Sequence, residues 1–353
     1  MSAIRLYVTA TGLVTSVGSN TPSACAAMRA GLSAFEQLPL WDNGRNPITG
    51  SPVSSLPLTL ERQERLIDLL AMALTDALAG EENVSTEQVP LLVALAEPER
   101  PGGAASLADT LVSRVEQRLA RTFHPRLSRT LTGGNAAAFR ALALARTLSW
   151  EQRVPSCFVC AVDSLLNARS LLWLEEHRRL KTRSNSDGVI PGEAAVCLRV
   201  EPHTGRRRQP LASLVGLGFA TEPASVLDEN PLRAEGLVGA GRAALAEAGL
   251  RMQDMDWRLS DASGESYGFK EQALALTRLL RVKREDLPLW LSAESIGEVG
   301  TAASLCQLVR AAQAYQRGYA PGAHAMCFAS SVSGGRAVAV LRRPASNRSS
   351  AHE

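Results

Sequence analysis

The sequence predicts an α/β fold made of two related halves. Short apolar runs of strand length alternate with longer amphipathic segments of helix length along most of the chain. The segment Gly192–Arg199 returns in similar form as Gly335–Arg342, and each closes a helix–strand–turn–strand unit. A polar stretch, Glu201–Pro210, separates the two units. The halves are therefore 1–202 and 211–343, and the polar remainder 344–353 is expected to be a disordered tail.

Taken in order, Leu6–Ala10 reads as a first strand that runs into a glycine-punctuated turn, Thr11–Gly18. Thr21 and Pro22 signal a helix start. Residues 34–60 carry Pro, Gly, Asn and Ser and read as irregular. Glu61–Leu78 has the period of a strong helix, with Gly80 as its stop. Leu91–Ala96 is a short buried strand, Glu97–Gly103 a loop and Leu107–Leu119 a helix. From Ala136 a helix runs to about Trp150, followed by a strand at Ser156–Ala161 and a helix at Leu165–Glu176. In the second half Thr301 opens a helix to about Gln316, and His324–Ala329 is a strand.

Composition narrows the function classes. The chain of 353 residues is 45% apolar but only 5% aromatic, so its core must be mostly Ala, Leu and Val. A net charge of +3 with interspersed signs gives no nucleic-acid footprint, and the run Arg206–Arg208 reads as a solvated linker. No apolar run is long enough for a membrane span, and the start lacks a signal-peptide pattern, so a cytoplasmic protein is expected. Cys157 and Cys160 form a lone CxxC, but strand alternation sends the two thiols to opposite faces. No second cysteine pair or histidine pair completes a zinc site, so neither metal nor other cofactor is expected. The six cysteines read as buried thiols, and His124, His177, His203, His324 and His352 as surface or structural residues.

The sharpest local feature is Thr132–Ala138. A glycine pair, Gly133 and Gly134, leads into a long apolar helix with Asn135 where it begins. Enzymes place nucleophiles at such points, because free N–H groups and the helix dipole stabilise developing negative charge. A carboxamide cannot attack a carbonyl, so whether the chain is an enzyme is open.

Ala10–Gly18, Arg29–Ser33, Val162–Leu166, Asp187–Ala195 and Ser331–Gly335 occur in the order of landmark segments in the β-ketoacyl synthases of the thiolase superfamily, and the chain resembles that family over nearly its whole length. The resemblance implies a thiolase fold, two βαβαβ halves in a five-layer α-β-α-β-α sandwich. It implies a homodimer as well, with Ser156–Ala161 as the strand that pairs. A condensing enzyme of this kind uses a cysteine and two histidines. By resemblance these three positions fall on Asn135, on Ser263 within Asp261–Glu265, and on Glu298 within Glu294–Glu298, with Glu294 in place of a lysine. The site is thus expected to be degenerate, with charge reversed at Glu298, which would repel an enolate.

Three functional readings follow from the resemblance. The first is a non-catalytic protein acting through protein–protein binding, similar to compact ketosynthase-like accessory proteins encoded near type VI secretion effectors, which implies an effector adaptor or chaperone. The second is an acyl-binding or chain-length-factor-like partner of a fatty-acid or polyketide synthase subunit, with acyl carrier protein as a further partner. The third is a residual acyltransferase or thioester hydrolase using Ser263, Glu265 and Glu298. The first expects a blocked pocket, the second a small-residue apolar pocket reaching Asn135, and the third an open cleft where Ser263 or Glu298 meets a base.

Overall fold

The computed structural model describes residues 5–80, 85–102, 105–202 and 209–345. The run Arg206–Arg208, most of the Glu201–Pro210 join, His203, His352 and all of the tail but residues 344 and 345 lie outside the described residues.

The first half contains β1 (Leu6–Thr15), α1 (Thr21–Arg29), β2 (Glu36–Trp41), β3 (Pro47–Gly50), α2 (Arg62–Ala77), β4 (Leu91–Leu95), α3 (Leu111–Leu119), β5 (Arg129–Thr132), α4 (Asn135–Glu151), β6 (Cys157–Ser164), α5 (Ala168–Glu176) and β7 (Glu193–Glu201). The second contains β8 (Ala212–Thr221), α6 (Glu235–Ala248), β9 (Trp257–Ser260), α7 (Ser266–Leu279), β10 (Leu289–Leu291), α8 (Ala293–Ile296), α9 (Ala302–Arg317), β11 (His324–Ser330) and β12 (Gly335–Arg342).

Topology makes the duplication explicit. The strand order β1-β7-β6-β4-β5 in the first half is repeated as β8-β12-β11-β9-β10 in the second. Each β1/β7-type and β6/β7-type pair is antiparallel, and the two outer pairs of each half are parallel. The halves meet where Leu6–Val8 pairs with Ala212–Leu214, so the two five-stranded sheets are hydrogen-bonded into one of ten strands.

Side-chain alternation produces five layers from this sheet. Cys157, Val159 and Ala161 of β6, with Ala337, Ala339 and Leu341 of β12, face a central core that α4 and α9 fill. Phe158, Cys160 and Val162 face the other way, into a core with α2 and α3. Val338 and Val340 do the same toward α6 and α7. Cys157 and Cys160 therefore lie on opposite faces of one strand, and all six cysteines are buried and free. The central helices carry Ala136, Ala137, Ala138, Ala141 and Ala145 on α4 and Ala302, Ala303, Ala311, Ala312 and Ala314 on α9, which lets both fit between the sheet halves with few aromatic rings.

Several elements differ from the sequence reading. β1 continues through Thr15, because Gly12 is a strand residue against which α2 packs: a Cβ there would lie 1.8 Å from the Ala73 carbonyl oxygen. Gly218 of β8 plays the same part under α6, at 1.9 Å from the Ala240 oxygen. The segment 34–60 contains the β2–β3 hairpin, whose Leu38 and Ile48 bury against α5. The helix expected from Leu165 begins at Ala168, where Asn167 caps it by accepting from Ser170 N. The helix expected from Leu107 begins at Leu111, after a 3₁₀ turn at Ala105–Leu107.

The expected dimer strand is also corrected. Ser156–Ala161 lies almost wholly in β6, which is hydrogen-bonded to β4 on one side and β7 on the other, so it has no free edge for a second chain. The open edge of this half is β5, which pairs with β4 alone among the described residues.

Candidate functional site

The site lies where the carboxyl ends of parallel strands from both halves converge, the usual place for a crevice in α/β sheets. Glu97 follows β4, Asp261 and Ser263 follow β9, Ser330 ends β11 and Ser331 follows it. Asn135 is the first residue of α4, and Glu298 sits in the short link between α8 and α9. All seven line one cavity, so the structure brings Asn135, Ser263 and Glu298 together.

Gly134 sets the entry to α4. Its φ of +66° is open to glycine, and a Cβ at this position would lie 2.1 Å from the Glu97 carboxylate. The helix start is well occupied. Ser331 Oγ accepts from Ala136 N at 2.9 Å and donates to the Gly133 carbonyl at 2.7 Å. Val332 N donates to Glu97 Oε1 at 3.2 Å. The Asn135 carboxamide donates to Asp261 Oδ2 at 2.7 Å, and Ser330 N donates to the same oxygen at 2.7 Å.

On the opposite wall, Ser263 Oγ donates to Glu298 Oε2, and Gly300 N donates to Glu298 Oε1 at 2.7 Å. Glu265, the third member of the hydrolase alternative, lines the same cavity but is engaged by Arg179, which grips both its oxygens at 2.8 and 2.7 Å. Glu294 is exposed and does not line the cavity.

Charges in and around the cavity do not balance. Arg179 pairs with Glu265, Arg336 with Glu271 and Arg100 with Asp163. Burial pushes Asp163 up, but the Arg100 guanidinium overrides this and holds its carboxyl below the usual range. Glu97, Asp261 and Glu298 have no ion-pair partner among the described residues. Burial lifts Asp261 to about 6, against the hydrogen bonds from Asn135 and Ser330. Burial lifts Glu298 to about 7, with Asp261 adding to the shift and Ser263 opposing it.

The cavity is small, about 80 Å³. Ligand pockets span roughly 300–1,000 Å³. No cysteine or histidine lines it among the described residues. Burial pushes the thiols of Cys25, Cys157 and Cys306 up to about 12, so each is held as the neutral thiol. His124 accepts backbone N–H groups from Arg126 and Leu127, and His324 contacts the Asp254 carbonyl. Among the described residues no His, Cys, Asp and Glu group has the arrangement of a metal site. No described helix is long and apolar enough to cross a membrane.

The comparisons with known proteins agree with the topology. A chain of AntDE:AntF, a type II PKS acyl-carrier protein in complex with its ketosynthase, superposes over 97% of this chain and 100% of that one, with a TM-score of 0.81 and 14% identity. The fold is that of the ketosynthases. The ishigamide ketosynthase/chain length factor matches with a TM-score of 0.78 at 17% identity, over 97% of this chain and 100% of that one. The ketosynthase ApeO in complex with its chain length factor ApeC, from Xenorhabdus doucetiae, matches at 0.73 and 14%, over 96% and 98%. In sequence, a mitochondrial protein of Schizosaccharomyces pombe named as a 3-oxoacyl-[acyl-carrier-protein] synthase is 30% identical over 178 residues. That match covers 45% of this chain and 42% of the relative, so less than half of the relative's length is spanned. No protein-family model matches the chain.

Several site residues escaped the sequence reading. Glu97 lies in a segment read only as a loop, and Asp261 begins a motif read for Ser263. Glu271 and Arg336 carry no local pattern, although Arg336 stands where the first-half echo has Glu193. That mismatch within a repeat was the one available signal.

Proposed function

We propose that this ketosynthase-fold protein works by binding a protein partner and does not transfer acyl groups. One observation carries the reading. At the start of α4, where the fold can present a nucleophile to the helix dipole, stand a carboxamide and three carboxylates without ion-pair partners among the described residues, in a cavity too small for an acyl chain. Thioester chemistry develops negative charge on oxygen, and Glu97, Asp261 and Glu298 oppose it when ionised. The replacement of a cysteine by Asn135 and of two histidines by Ser263 and Glu298 is part of this proposal.

The partner is a synthase-type subunit or a secretion effector. Solved complexes of the same fold, AntDE with an acyl carrier protein and ApeO with its chain length factor, support the first. The resemblance to accessory proteins of type VI secretion supports the second. A second copy of this chain is expected to pair along the open edge of β5.

The test is incubation of the protein with acyl- and malonyl-thioesters, followed by mass spectrometry for an acyl adduct, CO2 or free acid. The expected result is none of these. Turnover that disappears in Ser263→Ala would overturn the proposal in favour of a hydrolase. That reading is favoured by one contact, the hydrogen bond from Ser263 to Glu298.

A further inference from the structure

The cavity at the start of α4 combines an excess of negative charge with buried polar atoms that lack a partner among the described residues. Glu97 is 6% exposed, and neither it, Asp261 nor Glu298 forms an ion pair among the described residues. Three arginines attract them, but each is ion-paired to Glu265, Glu271 or Asp163, so carboxylates outnumber guanidiniums around the cavity. A cluster of buried carboxylates in this state requires protons or a cation from outside.

A second feature points to a ligand. Gln272 lines the same cavity, is 5% exposed, and its side-chain oxygen accepts no hydrogen bond among the described residues. A buried acceptor left without a donor costs free energy that an incoming N–H group recovers. Arg100 Nε and Arg179 Nη1, buried atoms of two residues that line the cavity, donate to no described residue. The occupant must therefore bring strong donors, positive charge, and at least one acceptor. Part of the wall is apolar, through Leu165, Leu174, Val226 and Val332, which suits an alkyl stem.

We infer that the cavity receives one basic side chain, arginine or lysine, presented by a partner polypeptide. The cationic head supplies charge and N–H donors to Glu97, Asp261, Glu298 and Gln272. A peptide carbonyl next to that side chain supplies the acceptor that Arg100 and Arg179 lack, which a bare amine does not. The free volume of about 80 Å³ has room for a cationic head group. This inference rests on the binding reading above and names the chemistry of the partner's anchor.

The test uses the full chain and four capped residues, N-acetyl arginine and lysine N-methylamides with their neutral counterparts citrulline and acetyl-lysine, together with agmatine as the free cation. Calorimetric titration should show saturable binding of a capped basic residue, at least about tenfold tighter than its neutral counterpart and tighter than agmatine. Glu97→Gln and Asp261→Asn should each weaken it by about tenfold or more, with melting temperatures unchanged or raised, so that lost binding is not lost folding. Equal affinity for citrulline, equal affinity for agmatine, or full affinity in both variants would overturn the assignment. Absence of binding by every probe, with thioesters still inert, would also overturn it while leaving the non-catalytic reading in place.

Discussion

Asn135 donates its carboxamide to Asp261 at 2.7 Å, and this single contact ties the first residue of α4 to the loop after β9 in the other half. The helix dipole at Asn135 favours an anion. Asp261, Glu97 and Glu298 supply negative charge already, so a second anion meets repulsion.

Asn135→Cys tests which effect is larger. A thiol at a helix start ordinarily ionises below the free-cysteine range of about 8.5. Here the three carboxylates are expected to outweigh the dipole and hold the introduced thiol above that range. The pH dependence of iodoacetamide alkylation measures it. The unsubstituted protein serves as the blank, since all six native cysteines are buried.

Glu298 and Asp261 give the protein a defined pH dependence. Their folded values, about 7 and about 6, lie above the ordinary 4.5 and 3.8. The folded state therefore binds more protons than the unfolded state between these limits, and stability falls as pH rises. The contribution is complete below about pH 4 and lost above about pH 7, on the order of 3 kcal/mol for each group. Denaturant titrations across this window should show the slope. Glu298→Gln should flatten it and be more stable than the parent at about pH 8.

The Glu271–Arg336 pair is expected to behave oppositely. Both side chains are 1% exposed and bonded at 2.7 Å. Arg336→Ala leaves a buried carboxylate without a partner and should cost about 3–5 kcal/mol in chemical denaturation. Arg336→Met with Glu271→Leu should recover most of that loss.

Gly134→Ala should destabilise through two separable causes. A φ of 66° with a ψ of −148° is a backbone region essentially confined to glycine and costs about 1–3 kcal/mol for a side chain, and the new methyl runs into Glu97. Glu97→Ala in the same chain removes the collision and leaves the backbone cost, so the two changes together should cost less than their sum.

Light scattering should give the mass of a dimer. Proline at Thr130 or at Leu131 should yield a monomer in one case. Successive strand N–H groups point to opposite sides, so one of the two faces the open edge of β5.

What the sequence revealed tracks how local the governing physics is. The β7 and β12 segments follow from the internal repeat, and α4, α9 and the two faces of the CxxC strand from periodicity. β8 was hidden because Gly216 and Gly218 interrupt its apolar run, and those glycines are there to admit α6, a partner distant in the chain. β5 and β9, of four residues each, are too short to show a period. The positions Asn135, Ser263 and Glu298 were readable from ordered landmarks, whereas Glu97, Gln272 and Arg179 reach the cavity only through tertiary packing.

The repeat also bears on how the chain assembles. In the first half Glu193 of β7 takes a hydrogen bond from Ser164 and the ion pair from Arg65. In the second, Arg336 stands in the place of Glu193, and the glutamate, Glu271, comes from the overlying helix and takes its hydrogen bond from Ser330. The polarity of one buried contact is inverted between two otherwise similar modules. The two partners also come from helices at different places in the repeat: Arg65 lies on α2, between β1 and β4, and Glu271 on α7, between β9 and β10. Internal symmetry invites crossed assembly, and this difference gives each module a buried ion pair that the other's cover does not reproduce.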